Sequence, residues 1–93
     1  MINKEEMKKR MLSEGFSTVD EYDDPANEVF PDHNHPGDQL LYVLKGSISI
    51  TMNDKHSVLT TGEEFFFPAK MMHEATVGPD GCLYLVGERP EAH

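Results

Sequence analysis

Two histidines separated by one residue stand in the stretch His33-Asn34-His35-Pro36-Gly37-Asp38-Gln39. On an extended chain, side chains at i and i+2 point the same way, so both imidazoles can meet one cation. Gln39 follows where the chain enters a β-prone run. A third histidine, His73, opens another such run, with His73, Ala75 and Val77 on one face. Three neutral imidazoles and an amide oxygen suit a first-row divalent ion that keeps open positions for water or a small ligand. A histidine pair also arises by chance on surfaces, as satisfied polar residues, and Pro31-Asp32 ahead of it reads equally as an ordinary turn. The residues alone leave both readings open. His56, after the turn Asn53-Asp54-Lys55, and His93, the last residue, read as exposed bystanders.

Other chemistry is sparse. Tyr84 is a candidate general acid in a β context, against a tyrosine whose hydroxyl is simply satisfied at a barrel rim. Lys70 lies close enough to His73 in sequence to reach an anionic ligand, against an ordinary surface lysine. Asp20-Glu21-Tyr22-Asp23-Asp24 crowds acids without a glycine-turn framework and reads as a solvated loop, not a cation site. Phosphate-binding loops, dinucleotide fingerprints, nucleophile elbows and paired-cysteine zinc motifs are absent from the sequence.

Positioning of these groups falls to two kinds of element. Asn3 and Glu6 have capping-box spacing. Met7, Met11 and Leu12 form an apolar stripe, and Gly15 supplies a stop. This predicts a helix over residues 1–15, with a basic face (Lys4, Lys8, Lys9, Arg10) read as solvated. From residue 16 to 93 a single β domain is expected. Short β-prone runs appear at Val29–Phe30, Leu40–Leu44, Ile48–Met52, Val58–Leu59, Phe65–Phe67, Ala75–Val77 and Leu83–Val86. Turn signals separate them, among them Lys45-Gly46 and Gly78-Pro79-Asp80-Gly81. Strict alternation in Ser47–Met52 predicts one buried and one wet face. Leu40–Leu44 is apolar on both faces, so a second sheet or a partner subunit should cover it. A greasy outer face makes a homodimer the expected state.

Composition narrows the classes. The 93 residues carry 8 Lys and Arg against 17 Asp and Glu, a net charge of −9. Phosphates would repel such a surface, which argues against nucleic acid as a partner. No apolar run approaches a membrane span and no signal peptide is expected. A single cysteine, Cys82, permits no intrachain disulfide and fits a cytoplasmic setting.

The chain resembles the cupin superfamily, small β-barrels with two signature motifs. The first motif runs HxH, three residues, Glu, six residues, Gly; here it reads His33-x-His35, three residues, Gln39, six residues, Gly46. The second runs Gly, five residues, Pro-x-Gly, two residues, His, three residues, Asn; here it reads Gly62, five residues, Pro68-x-Lys70, two residues, His73, three residues, Val77. The motifs span residues 33–77. The resemblance implies an all-β fold, one jelly-roll (double-stranded β-helix) barrel with a short N-terminal helix. It also implies a divalent metal at His33, His35, Gln39 and His73, with manganese, iron, nickel, zinc and cobalt all suited. Three positions depart from the pattern. Gln39 replaces Glu, Val77 replaces Asn, and Lys70 replaces a Gly, so that turn is expected to avoid positive φ.

The amide has consequences. Without a carboxylate ligand the ion keeps its formal charge, favouring anionic ligands and Lewis-acid chemistry over ferric redox cycling. The expected function is a metal-dependent enzyme on a small oxygenated molecule, isomerase- or lyase-like before dioxygenase. The alternative is a non-catalytic small-molecule-binding or sensory module. Parity places Gln39, Leu41 and Val43 on one face, Ile48, Ile50 and Met52 on another, and predicts a mostly apolar lumen.

Overall fold

A computed structural model describes residues 3–90, one helix and six strands; His93 and the first two residues of the expected helix lie outside the described residues. Helix α1 spans Lys4–Ser13. The Asn3 side chain accepts from the Glu6 backbone N–H at 2.9 Å and donates to the Glu6 carboxylate at 3.0 Å, satisfying one of the donors that a helix start leaves open. Gly15, at φ +97°, turns the chain off the helix end. Met7 and Met11 are fully buried, but Leu12 is 53% exposed. The expected stripe is therefore corrected: the helix ends before another turn can extend it, and Phe16 completes the cluster.

The strands are β1 (Thr18–Asp24), β2 (Val29–His33), β3 (Gln39–Met52), β4 (Lys55–Thr60), β5 (Glu64–Phe67) and β6 (His73–Glu88), all antiparallel. β3 and β6 pair along most of their lengths and each serves two half-sheets. In one half, β1, the C-terminal half of β6, the N-terminal half of β3 and β5 lie side by side. In the other, β2, the first half of β6, the second half of β3 and β4 do so. The inner faces meet in one core that includes Leu41, Val43, Ile48, Ile50, Val77 and Val86. This is the expected barrel.

Two expected turns are instead bends within continuous strands. At Lys45-Gly46 and at Gly78-Pro79-Asp80-Gly81 the ladder slips: Val43 pairs with Tyr84, Gly46 with Cys82, and Ile48 with Val77. Five positions, an odd number, separate Val43 from Ile48 and Val77 from Cys82. The bulges therefore reverse side-chain parity as each strand passes from one half-sheet to the other. Odd residues before the bend of β3 and even ones after it enter one lumen, so the two faces read from parity are a single lining. The backbones touch at this corner: a Cβ on Gly46 (φ +86°) would lie 2.1 Å from the Gly81 carbonyl oxygen.

The acidic run at residues 20–24 is also not a loop. It lies in β1, paired with β6 from Thr18 opposite Glu88 to Asp24 opposite Cys82. Charged residues on an edge strand solvate its outer side while the ladder bonds hold the inner one. Among the described residues, the outer face of β3 at Leu40 and Tyr42 is covered by the helix and not by a second sheet. It packs against Met7 and Met11 of α1. Among the described residues, no helix is long and apolar enough to cross a membrane.

Candidate metal site

His33 ends β2 and His73 begins β6, and the two are a cross-strand pair. Between Phe30, opposite Ala75, and His33, opposite His73, β2 carries one extra residue. This bulge moves His33 onto the face that Phe30 occupies, which looks into the barrel. His35 lies beyond the strand, in the loop before β3. Alternation persists through it: His33 and His35 are half-buried and Asn34 is exposed.

The three histidines converge. One ring nitrogen from each lies within 4.8 Å of those of the others. Ring centroids are 4.8 Å apart for His33–His35, 4.4 Å for His33–His73 and 5.2 Å for His35–His73. Nδ1 of His33 is 2.7 Å from the Pro31 carbonyl oxygen and Nδ1 of His73 is 3.0 Å from that of Met71. A carbonyl only accepts, so both Nδ1 atoms carry the hydrogen and both Nε2 atoms are left as lone-pair donors. Burial lowers the pKa of His35 and His73, and the neighbouring imidazoles push in the same direction. Neutral rings with oriented lone pairs are the form that a transition metal takes up. The donor set fits a divalent ion.

Gln39 is the first residue of β3, 9% exposed, and sits between Phe67 and Glu88 on its two neighbours. Phe67 packs on the His73 ring at 4.2 Å between centroids. Glu88 was not among the residues expected here. Its carboxylate accepts from Gln39 Nε2 at 3.3 Å, which leaves the amide oxygen as the atom available to a cation. Parity along Tyr84, Val86 and Glu88 would have found it, but the strand was expected to end at Val86.

These groups share a cavity of about 410 Å³ with Phe30, Leu41, Ile48, Ala75 and Val86. Its wall is mostly apolar, as the parity argument expected. It also holds acids, Asp24 beside Tyr84 and Glu88 beside Gln39, so the expectation that nothing local offsets a bound ion's charge is corrected at Glu88. Tyr84 lines the cavity too. Its hydroxyl donates to Asp24 at 2.5 Å and its ring stacks on Tyr22 at 5.5 Å. Burial first, and then Asp24, raise the Tyr84 pKa far above its ordinary value, so the hydroxyl stays protonated.

Two peripheral residues fall as follows. Lys70 adopts φ +65°, against the expectation that losing the motif glycine removes positive φ. Its N–H donates to the His35 carbonyl at 2.7 Å, a bond between the two histidine-bearing segments that holds this conformation. His56 is exposed and bonds Thr51 at 3.1 Å, outside the site.

Residues 21–86 match the sequence pattern of the family described as a cupin domain. The chain belongs to the cupin family. No curated protein matches it. Solved structures do. This cupin is 23% identical to KdgF from Halomonas sp., over 78% of this chain and 69% of that one, with a TM-score of 0.67. It is 18% identical to a cupin superfamily protein from Desulfitobacterium hafniense, over 77% and 66% of the two chains, at a TM-score of 0.69. It is 24% identical to the DMSP lyase DddQ from Ruegeria pomeroyi, at a TM-score of 0.68, over 81% of this chain but 38% of that one. Identities this low establish a common fold.

Proposed function

We propose that His33, His35, His73 and Gln39 hold a divalent metal ion and that this cupin is a metal-dependent enzyme acting on a small oxygenated molecule. The observation that carries the reading is the convergence of three imidazoles on the wall of an apolar cavity. A bound ion would polarise an oxygen of the ligand. The chain's own groups supply the rest. Phe30, Leu41, Ile48 and Val86 exclude water and shape the space. The Glu88 carboxylate stands beside Gln39, where it can take a proton from a bound molecule and return it at another atom. The Asp24–Tyr84 pair offers acceptors to a ligand hydroxyl.

The two carboxylates refine the ligand class. A bound ion would take an anionic or carbonyl oxygen of the ligand, and the Glu88 carboxylate beside Gln39 and the Asp24 carboxylate beside Tyr84 would accept from its hydroxyls. A hydroxy acid or a hydroxy-carbonyl compound meets both demands. Proton transfer by a carboxylate beside a polarised oxygen suits isomerisation or elimination. The fold shared with a DMSP lyase accommodates such chemistry without specifying it.

Metal content of the purified protein tests the first half. The protein is then stripped with chelator, reloaded with manganese, iron, nickel, zinc or cobalt, and assayed against uronates, hydroxy acids and diketones. Turnover that follows metal content supports the enzyme. Ligand binding without turnover supports a binding or sensory module instead. Failure of every reloaded ion to bind one per chain sinks the metal site and the metal-dependent enzyme with it.

A further inference from the structure

We propose that Asp38 and Arg89 are positioning residues for the metal site, joining the two histidine-bearing segments to each other and to helix α1. The inference rests on the metal reading above and concerns residues outside the cavity lining.

His33, His35 and Gln39 come from one stretch of chain, whereas His73 follows the separate turn at residues 68–72. Asp38 bridges them. Its Oδ1 accepts from the Ala69 N–H at 2.8 Å, and its Oδ2 accepts from Arg89 Nη1 at 3.2 Å. Backbone contacts run alongside: the Arg89 N–H donates to the Asp38 carbonyl at 2.9 Å, and a Cβ on Gly37 would fall 1.9 Å from the Arg89 carbonyl oxygen. Asp38 and Arg89 are the immediate neighbours of Gln39 and Glu88. One pair thus acts in the cavity while the adjacent pair clamps the segments that carry it.

Arg89 reaches further. Its Nη2 donates to the Glu14 carbonyl at 3.3 Å, at the C-terminal end of α1, where a cation complements the exposed carbonyls. Its guanidinium also lies 4.5 Å from the centre of the Phe16 ring. A partly exposed Asp–Arg pair contributes little stability by itself. A merely structural role therefore predicts a small fall in melting temperature and an unchanged metal site. A positioning role predicts the reverse emphasis, because supporting contacts around metal ligands typically change affinity by about 10–100-fold.

Cobalt(II) serves as the probe, with affinity read by chelator competition and geometry by the visible absorption bands. D38A and R89A should each weaken cobalt binding about tenfold or more and alter the bands. D38N, which keeps an acceptor for Ala69 but loses the charge facing Arg89, should fall between them and wild type; it also serves if D38A does not fold. R10A removes two surface ion pairs, to Glu14 and Glu64, and should leave cobalt affinity within twofold. Hydrogen exchange gives a readout on the helix: cobalt should slow exchange in α1 of wild type and not of R89A. Unchanged affinity and bands in both D38A and R89A overturn the proposal while the metal reading stands. A wild-type protein that binds no cobalt overturns the metal reading, and this one with it.

Discussion

At residue 39 an amide and a carboxylate face each other. Gln39→Glu would place a second carboxylate where Nε2 now donates to Glu88 at 3.3 Å. Without metal the two like charges would repel, and a bound cation would relieve that repulsion while gaining an anionic ligand. The variant should therefore melt lower than wild type when metal-free at pH 8, yet bind zinc or cobalt at least tenfold more tightly. Equal or weaker affinity, measured by chelator competition, would show that residue 39 is not a ligand. Cys82 gives a residue-scale prediction with a pH signature. Burial, and then Asp24, push its thiol from an ordinary 9.0 up to about 11. Below pH 9 the thiol is protonated in both folded and unfolded chains and its contribution is complete. Between pH 9 and about 11 only the unfolded chain ionises, so stability is lost as pH rises. The melting temperature of wild type should fall more steeply across that window than that of C82S, whose hydroxyl does not titrate. Parallel curves would contradict the assignment.

At the scale of elements, the corner where β3 and β6 bend carries both strands from one half-sheet into the other. Gly46 combines φ +86° with a backbone oxygen 2.1 Å from where its Cβ would be. Gly46→Ala should cost about 2 kcal/mol or more in denaturant unfolding, through left-handed strain plus a clash that no side chain can relieve. Gly15 has a similar φ of +97°, but the nearest atom to its Cβ position is the flexible Arg89 side chain at 3.9 Å, so G15A should cost about half as much; equal losses would remove the corner argument. The same corner explains what could and could not be read from sequence. Alternation identified the lining residues Leu41, Val43, Ile48 and Ile50 correctly, because burial sets it locally. That both sets face one lumen depends on bulges at residues 44–46 and 78–81, where glycine and proline mark an irregularity without saying whether the strand stops or bends. Likewise Asp20–Asp24 carries charge on both faces, and only pairing with β6 makes it a strand. Motif spacing brought the three histidines to notice. It was silent on Glu88 and Asp24, which reach the cavity through strand pairing between distant segments.

For the molecule as a whole, the barrel is small, and its first half-sheet owes its outer cover to one ten-residue helix. A core of this size leaves modest stability, so a ligand that binds only the folded chain should dominate its thermal behaviour. The three imidazoles come from two segments that approach each other only on folding; the unfolded chain offers at best the His33–His35 pair. An ion present at one hundred times its dissociation constant then adds about 2.7 kcal/mol. For a domain of about 60–100 residues each kcal/mol moves the midpoint by roughly 4–8 °C, so the expected rise is roughly 10–20 °C. Scanning calorimetry with and without zinc, manganese or cobalt measures it directly. His73→Ala removes the ligand that comes from the second segment and should abolish the rise while leaving the His33–His35 pair intact. The net charge of −9 attracts cations non-specifically as well, and magnesium at the same concentration controls for that, since it favours oxygen ligands over imidazole. A rise equal for magnesium and zinc, or one that survives in H73A, would mean that general screening and not the histidine site stabilises the fold.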